Sequence, residues 1–212
     1  ARQPGTGEPR GALAKSWTIS ADGLQYDFEI RTDAKFHDGK PVTIEDVKFS
    51  YDVIKDPKTN AAHLQNYFKN FDRAEIISPS KIRMHLNQVY YRNLIILGLV
   101  EIFPKHIYGK GDFNNNPANR APVGSGPYKF SKWESGRHIE LERFTDYWGI
   151  NDPFYKDRYN FNRLIYKVIA EDSVANLALK KGDIDAMDPT PEQYFKELIG
   201  PEIENNFYKL SY

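Results

Sequence analysis

Five histidines, two aspartates two residues apart and one glycine-rich turn are the groups in this 212-residue sequence whose types could support chemistry. The histidines, His37, His63, His85, His106 and His138, stand singly. None belongs to an H-E-x-x-H pair, which would put two imidazoles on one helix face to bind a metal. The G-x-S-x-G, G-x-x-x-x-G-K-[ST] and G-x-G-x-x-G patterns do not occur either. Asp183 and Asp185 flank Ile184 and would point the same way on a strand, as a carboxylate pair for acid–base work does. A solvated strand end explains them more cheaply. Gly124-Ser125-Gly126 has the composition of a phosphate loop, but Pro127 leads into a strand, so no helix N-terminus would face the anion. With no cysteine, a disulfide framework, a thiolate zinc site and a Cys nucleophile are excluded. These groups alone describe an α/β domain that is not an enzyme and calls for no metal or cofactor.

The elements that would position such groups start from an ordinary globular balance. Hydrophobic residues make up 40% and charged residues 27%, enough apolar material for a core. The 29 basic and 29 acidic residues cancel, which argues against a nucleic-acid partner held by phosphate neutralisation. The apolar run at 94–100 is far short of the roughly 20 residues that span a bilayer. Aromatics are abundant, with 14 Tyr, 13 Phe and 3 Trp. Such side chains pack cores and also line ligand clefts. The sequence opens on Ala1 and a Pro- and Gly-rich stretch, and stops within the alternation of Phe207, Tyr208, Leu210 and Tyr212. The expectation is an excerpt of a longer chain.

Alternation over 13–20 and 24–31 around Ala21-Asp22-Gly23 predicts a β-hairpin, with Tyr26, Phe28 and Ile30 on one face. Phe36 followed by His37-Asp38-Gly39-Lys40-Pro41 reads as an apolar anchor and a tight turn. Thr43 caps a helix, with Glu45 and Asp46 in its first turn and Ile44, Val47, Tyr51 and Ile54 as its buried stripe, ending at Asp56-Pro57. A short helix over 61–68 precedes a strand pair, 74–77 with 82–86. Residues 90–100 are expected to form a buried helix and 104–108 a short one. The Gly-, Asn- and Pro-rich stretch 109–126 is the best internal boundary. Beyond it come a hairpin over 128–144, a strand over 163–169, and a helix over 172–181 with Val174, Leu177 and Ala178 inward and Gly182 at its end. A strand at 184–187 and a capping box at Thr190-Pro191-Glu192-Gln193 complete the reading. The fold class is α/β, or α+β with mixed sheets.

Five blocks, in order, carry a resemblance. Residues 13–17 and 20–31, with Trp17 and Asp22-Gly23, are similar to the opening block of the family 5 extracellular solute-binding proteins, the peptide, dipeptide and nickel receptors of ABC importers. The stretch Lys35 to Val47, Val123 to Tyr128 with Trp133, Asp146-Tyr147-Trp148-Gly149, and Lys181-Gly182-Asp183-Ile184-Asp185 resemble its later motifs. Read as residues, the same blocks are turns, core anchors, a helix cap and glycines that let the chain turn sharply, so they specify a scaffold.

The resemblance implies a type II periplasmic-binding-protein-like fragment: residues 1–120 as the extra domain inserted in the receptor and 121–212 as part of the first lobe, ending near a crossover to a second lobe. It implies capture of a peptide or other small solute outside the cytoplasmic membrane, at the periplasmic or extracellular face, and delivery to permease subunits. The implied protein is a monomer, with peripheral or lipid-anchored membrane association. Ligand contacts from this half are expected from Tyr208, Leu210 and Tyr212, with Tyr90 (beside Tyr91) and Trp133 as further aromatic candidates. An ordinary strand and scaffold packing are the alternative roles for these residues. Nickel, a heme-like compound or an oligosaccharide are alternative solutes, and a peptide-sensing or chaperone-like module is an alternative use of the fold.

Overall fold

A computed structural model of the chain describes residues 7–155 and 158–196. The chain divides into two compact units, residues 1–133 with 140–164, and residues 134–139 with 165–212.

The first unit is built on a four-stranded antiparallel sheet of β1 (Ala14–Ile19), β2 (Gln25–Ile30), β3 (Phe71–Ser78) and β4 (Lys81–Leu86), in the order β1-β2-β4-β3. The β1–β2 hairpin turns where the Asp-Gly signal falls: Gly23 has φ 71°, its N–H reaches Ser20 O at 2.9 Å, and Asp22 Oδ1 accepts from Leu24 N–H at 3.0 Å. The central strands show the alternation their sequences prescribe. Tyr26, Phe28 and Ile30 are buried on one face of β2 and meet Ile82, Met84 and Leu86 of β4, with Phe28 opposite Ile82 and Tyr26 opposite Met84. The intervening Asp27 faces outward, where Arg83 from the opposing position grips it at 2.6 and 2.9 Å.

Helix α1 (Ile44–Lys55) covers the apolar face with the stripe the sequence marks: Ile44, Val47, Tyr51 and Ile54 are buried. Tyr51, Phe68 and Phe71 meet edge-on or tilted at 5.3–6.2 Å, the offset geometry that aromatic quadrupoles favour. The α1 cap does more than the first-turn charge rule suggests. Asp46 is only 4% exposed. Its Oδ2 accepts from Thr43 N–H at 2.8 Å and Thr43 Oγ1–H at 2.7 Å, and Thr43 Oγ1 accepts Asp46 N–H at 3.3 Å. Its Oδ1 accepts Lys105 N–H at 2.8 Å, at the start of α4 (Lys105–Tyr108). One turn on, the buried Ser50 hydroxyl donates to Asp46 O and accepts Phe103 N–H, both at 2.8 Å.

Helix α2 (Ala62–Tyr67) matches the short helix expected. The expected helix over 90–100 shrinks to α3 (Asn93–Leu97), with Asn93 and Leu97 buried while Tyr91 and Leu99 are 79% and 64% exposed. A continuous apolar run carries no phase, so periodicity could not separate buried from outward-facing members. Gly98 ends the helix, its N–H returning to Leu94 O at 3.0 Å.

The hairpin expected over 128–144 forms as β5 (Tyr128–Glu134) and β6 (His138–Arg143), and β7 (Arg163–Lys167) completes a sheet in the order β5-β6-β7. In the second unit Val168 N–H bonds Arg137 O at 2.8 Å at the hairpin turn. Helix α5 (Asp172–Lys181) ends as its glycine signals: Gly182 is left-handed at φ 75°, with Gly182 N–H to Leu179 O and Asp183 N–H to Ala178 O. Its expected inward stripe is corrected: Val174 and Leu177 are about half exposed, and Asn176 is its buried residue. The helical period locates a stripe but does not say what covers it. Residues 184–187 form no strand, because Asp183, Asp185 and Asp188 supply poor strand formers there. The capping box at α6 (Pro191–Lys196) is present, Thr190 N–H to Gln193 Oε1 at 3.0 Å and Gln193 N–H to Thr190 Oγ1 at 3.3 Å.

Replacing Asp46 by Ala strips an acceptor from both Thr43 and Lys105. Urea denaturation is expected to show a loss of about 2 kcal/mol, combining a missing cap with a partly buried N–H left unpaired at the start of α4. Replacing the exposed neighbour Glu45 by Ala is expected to cost no more than about 0.5 kcal/mol.

Candidate functional site

Two places in the first unit gather the residues that the sequence singles out. One is a groove of about 820 Å³ where the segments at 66–70 and 88–99 come together. Asn87 N–H bonds Asn70 O at 2.8 Å, tying the far end of the β3–β4 ladder shut and bringing the two segments side by side. Side chains alternate between core and groove. Phe68 and Phe71 point into the core, whereas Tyr67, Lys69 and Asn70 line the groove. On the other wall, Leu97 is buried and Leu99 lines the groove. The buried Asn93 fixes the approach to α3, with Nδ2–H to Gln88 O and N–H to Tyr90 O, both at 3.0 Å. That turn presents Tyr90 and Tyr91 edge to face at 4.8 Å, with the Arg92 guanidinium 5.3 Å from the Tyr91 ring. Lys69 and Arg92 are the charged residues in the lining; the rest are Tyr, Asn, Gln, Ile and Leu side chains. Ring faces, amides and two cations can hold a polar solute by stacking and hydrogen bonding.

Of the sequence-derived candidates, Tyr90 thus lines this groove. Trp133 does not: it is 41% exposed on β5, with the Arg120 guanidinium 4.9 Å over its ring. Tyr208, Leu210 and Tyr212 lie outside the described residues. The sequence reading missed Tyr67, Lys69, Arg92 and Leu99, because the two segments that supply them are joined only by strand pairing. The clustering of Tyr67, Tyr90 and Tyr91 was the available signal. Asp183 and Asp185 are exposed, and Lys167 Nζ donates to the main-chain oxygen of Asp183 at 2.6 Å. Among the described residues no three His, Asp or Glu side chains converge to hold a metal ion. No helix among them is long and apolar enough to cross a membrane.

The second place is where the motif blocks meet. Phe36 is fully buried with Ala34 and Val42, and the turn after it closes through Phe36 N–H to Lys40 O and Gly39 N–H to Phe36 O, with Gly39 at φ 84°. That turn delivers His37 to the glycine turn. His37 N–H donates to Gly124 O at 2.8 Å, Gly124 N–H donates to Nδ1 at 3.2 Å, and Nε2–H donates to Gly126 O at 3.0 Å. Gly124 and Gly126 were expected to permit a sharp turn, yet neither has positive φ. A Cβ at Gly124 would sit 3.4 Å from His37 Cε1, in ordinary van der Waals contact with the imidazole. Burial holds the His37 pKa below its ordinary value, and the bond to Gly126 O only partly offsets this. Ser125 O accepts from Trp148 Nε1–H at 3.0 Å, and Arg31 lies 4.8 Å over the Trp148 ring. Residues from four of the five blocks therefore touch one another through main-chain oxygens, ring faces and one imidazole, which is scaffold construction.

The family described as "Bacterial extracellular solute-binding proteins, family 5 Middle" matches residues 8–210. The oligopeptide-binding protein AppA of Bacillus subtilis is 34% identical over 183 residues, which cover 82% of this chain and 32% of AppA. Among solved structures, NikZ from Campylobacter jejuni in complex with Ni(L-His) superimposes with a TM-score of 0.76 at 35% identity, covering 92% of this chain and 36% of that one. AppA from B. subtilis in complex with a nonapeptide gives 0.70 at 29% identity, covering 87% and 36%. The chain spans about a third of the length of the curated relatives it matches. The sequence belongs to the bacterial extracellular solute-binding proteins of family 5.

Proposed function

We propose that the protein to which these residues belong captures peptides outside the cytoplasmic membrane and passes them to the permease of an ABC importer, without covalent chemistry of its own. The observation that carries this reading is the family match over residues 8–210, together with a relative named as an oligopeptide-binding protein. In this proposal residues 1–120 form the extra domain and 121–212 part of the first lobe. The receptor is a monomer, peripheral or lipid-anchored at the membrane surface. Ligand contact from this half comes from Tyr208, Leu210 and Tyr212, with Tyr90 and Trp133 as outlying aromatic contacts. The groove supports a binding rather than a catalytic role, since it offers ring faces, amides and two cations. A second reading, a receptor for a metal chelate, is favoured by the likeness to NikZ, whose structure holds Ni(L-His).

Thermal melts of the full-length protein separate the two readings. A ligand binding only the folded form at 100 times its Kd stabilises it by about 2.7 kcal/mol. Pooled di- to nonapeptides are expected to raise the melting temperature, and nickel with L-histidine to leave it unchanged. The reverse pattern would establish the second reading and sink the first. In the same protein, Tyr90→Ala is expected to weaken peptide binding by about fivefold or more, measured by calorimetry, a cost of about 1 kcal/mol. Unchanged affinity would remove Tyr90 from the contact set.

A further inference from the structure

His37 has both ring nitrogens committed to the main chain of the glycine turn: Nδ1 accepts from Gly124 N–H and Nε2–H donates to Gly126 O. This pattern admits one state, the neutral Nε2–H tautomer. An imidazolium carries hydrogen on both nitrogens, so a proton arriving at Nδ1 meets the Gly124 N–H head-on, donor against donor. The Gly124–Nδ1 bond must then break. The partner on the other side of the same turn behaves differently. His106 Nε2, from α4, bonds Asp38 Oδ2 at 2.6 Å, and an Nε2–H donates to a carboxylate whether or not Nδ1 is protonated. The hydrogen bond from His106 holds the Asp38 carboxyl below the usual carboxylate range despite its partial burial. The charged groups acting on His37 are Lys129, which opposes its protonation, and Asp38, which favours it. Its ring otherwise packs edge-on against Phe144, with centroids 5.1 Å apart.

We propose that His37 is an acid-operated latch: neutral, its Nδ1 fastens the Gly124 N–H of the glycine turn; protonated, it gives up that bond alone, while His37 N–H to Gly124 O, Nε2–H to Gly126 O and Asp38–His106 stay made. The sign comes from linkage. Burial lowers the native His37 below the ordinary value of 6.5 at which the unfolded chain titrates. As pH falls past 6.5 the unfolded or opened chain takes up a proton that the latched form refuses, so latch stability drops. The drop ends once the latched imidazole itself protonates. Within that window the open-to-closed ratio grows about tenfold per pH unit. The latch is independent of which solute is bound.

The test is nitrogen NMR of the imidazoles and amide hydrogen exchange in the full-length protein between pH 7.5 and 5. The expected result is an Nε2–H tautomer at His37, titration below 6.5, and a Gly124 protection factor that falls about tenfold per pH unit in the window. His37→Gln offers both a donor and an acceptor but no titrating nitrogen, and should flatten this dependence. His106→Gln should leave it in place. Titration of His37 at or above 6.5, Gly124 protection that is flat across the window, or acid dependence that survives in His37→Gln would each overturn the latch. If His37→Gln does not fold, the wild-type tautomer and exchange data decide alone.

Discussion

A carboxylate taken out of water has to be met by hydrogen-bond donors, and Asp46 meets this demand with groups from two helix starts. Oδ2 closes the cap of α1 and Oδ1 receives the first N–H of α4. Ser50, one turn further, receives Phe103 N–H and extends the same seam. The segment 103–105 is thereby sewn to α1 through its main-chain N–H groups, which lie partly out of reach of water. The residues next to this seam inherit its position: Phe103 meets Tyr108 and Phe113 at 5.5 and 5.2 Å, and His106 reaches Asp38 from the short helix that Asp46 anchors. The turn that carries His37 is thus placed by a carboxylate nine residues along the chain.

Much of this was legible in the sequence wherever local signals and tertiary demands coincide. Thr43, the four-residue stripe of α1, Asp22-Gly23 and the alternation of β2 and β4 each specify an element and the face it buries, and the structure uses them as read. Legibility failed where an apolar residue has no phase. In 94–100 the aliphatic side chains all looked fit for a core, and which of them turn outward depends on strand ends that lie elsewhere in the chain. Val174 and Leu177 failed for a related reason, since a stripe is local and its cover is not. The groove was legible only as an excess of tyrosine, because its walls meet through the Asn87–Asn70 bond.

The family motifs carry a further lesson in reading. The blocks that identify the family are its joints. His37 with Gly124 and Gly126, Trp148 with Ser125, and Arg31 over Trp148 are contacts between motifs. Such joints fix a scaffold, and none of them involves the groove walls Tyr67 and Tyr91. A sequence can therefore announce its family clearly and say little about its ligand.

The strand order β1-β2-β4-β3 has a kinetic side. Each hairpin is local, but the β2–β4 ladder joins Gln25 to His85 across α1, α2 and β3. Closing so long a loop costs entropy before any ladder bond forms, which makes this pairing the slow search in the folding of the unit. During synthesis at about 5–20 residues per second, β2 waits several seconds with one edge bare. A slip of one residue in the late pairing would drive Asp27 or Arg83 into the aromatic face. Their two-pronged ion pair, formed only when the strands are in step, acts as a proofreading contact for the step on which the sheet depends.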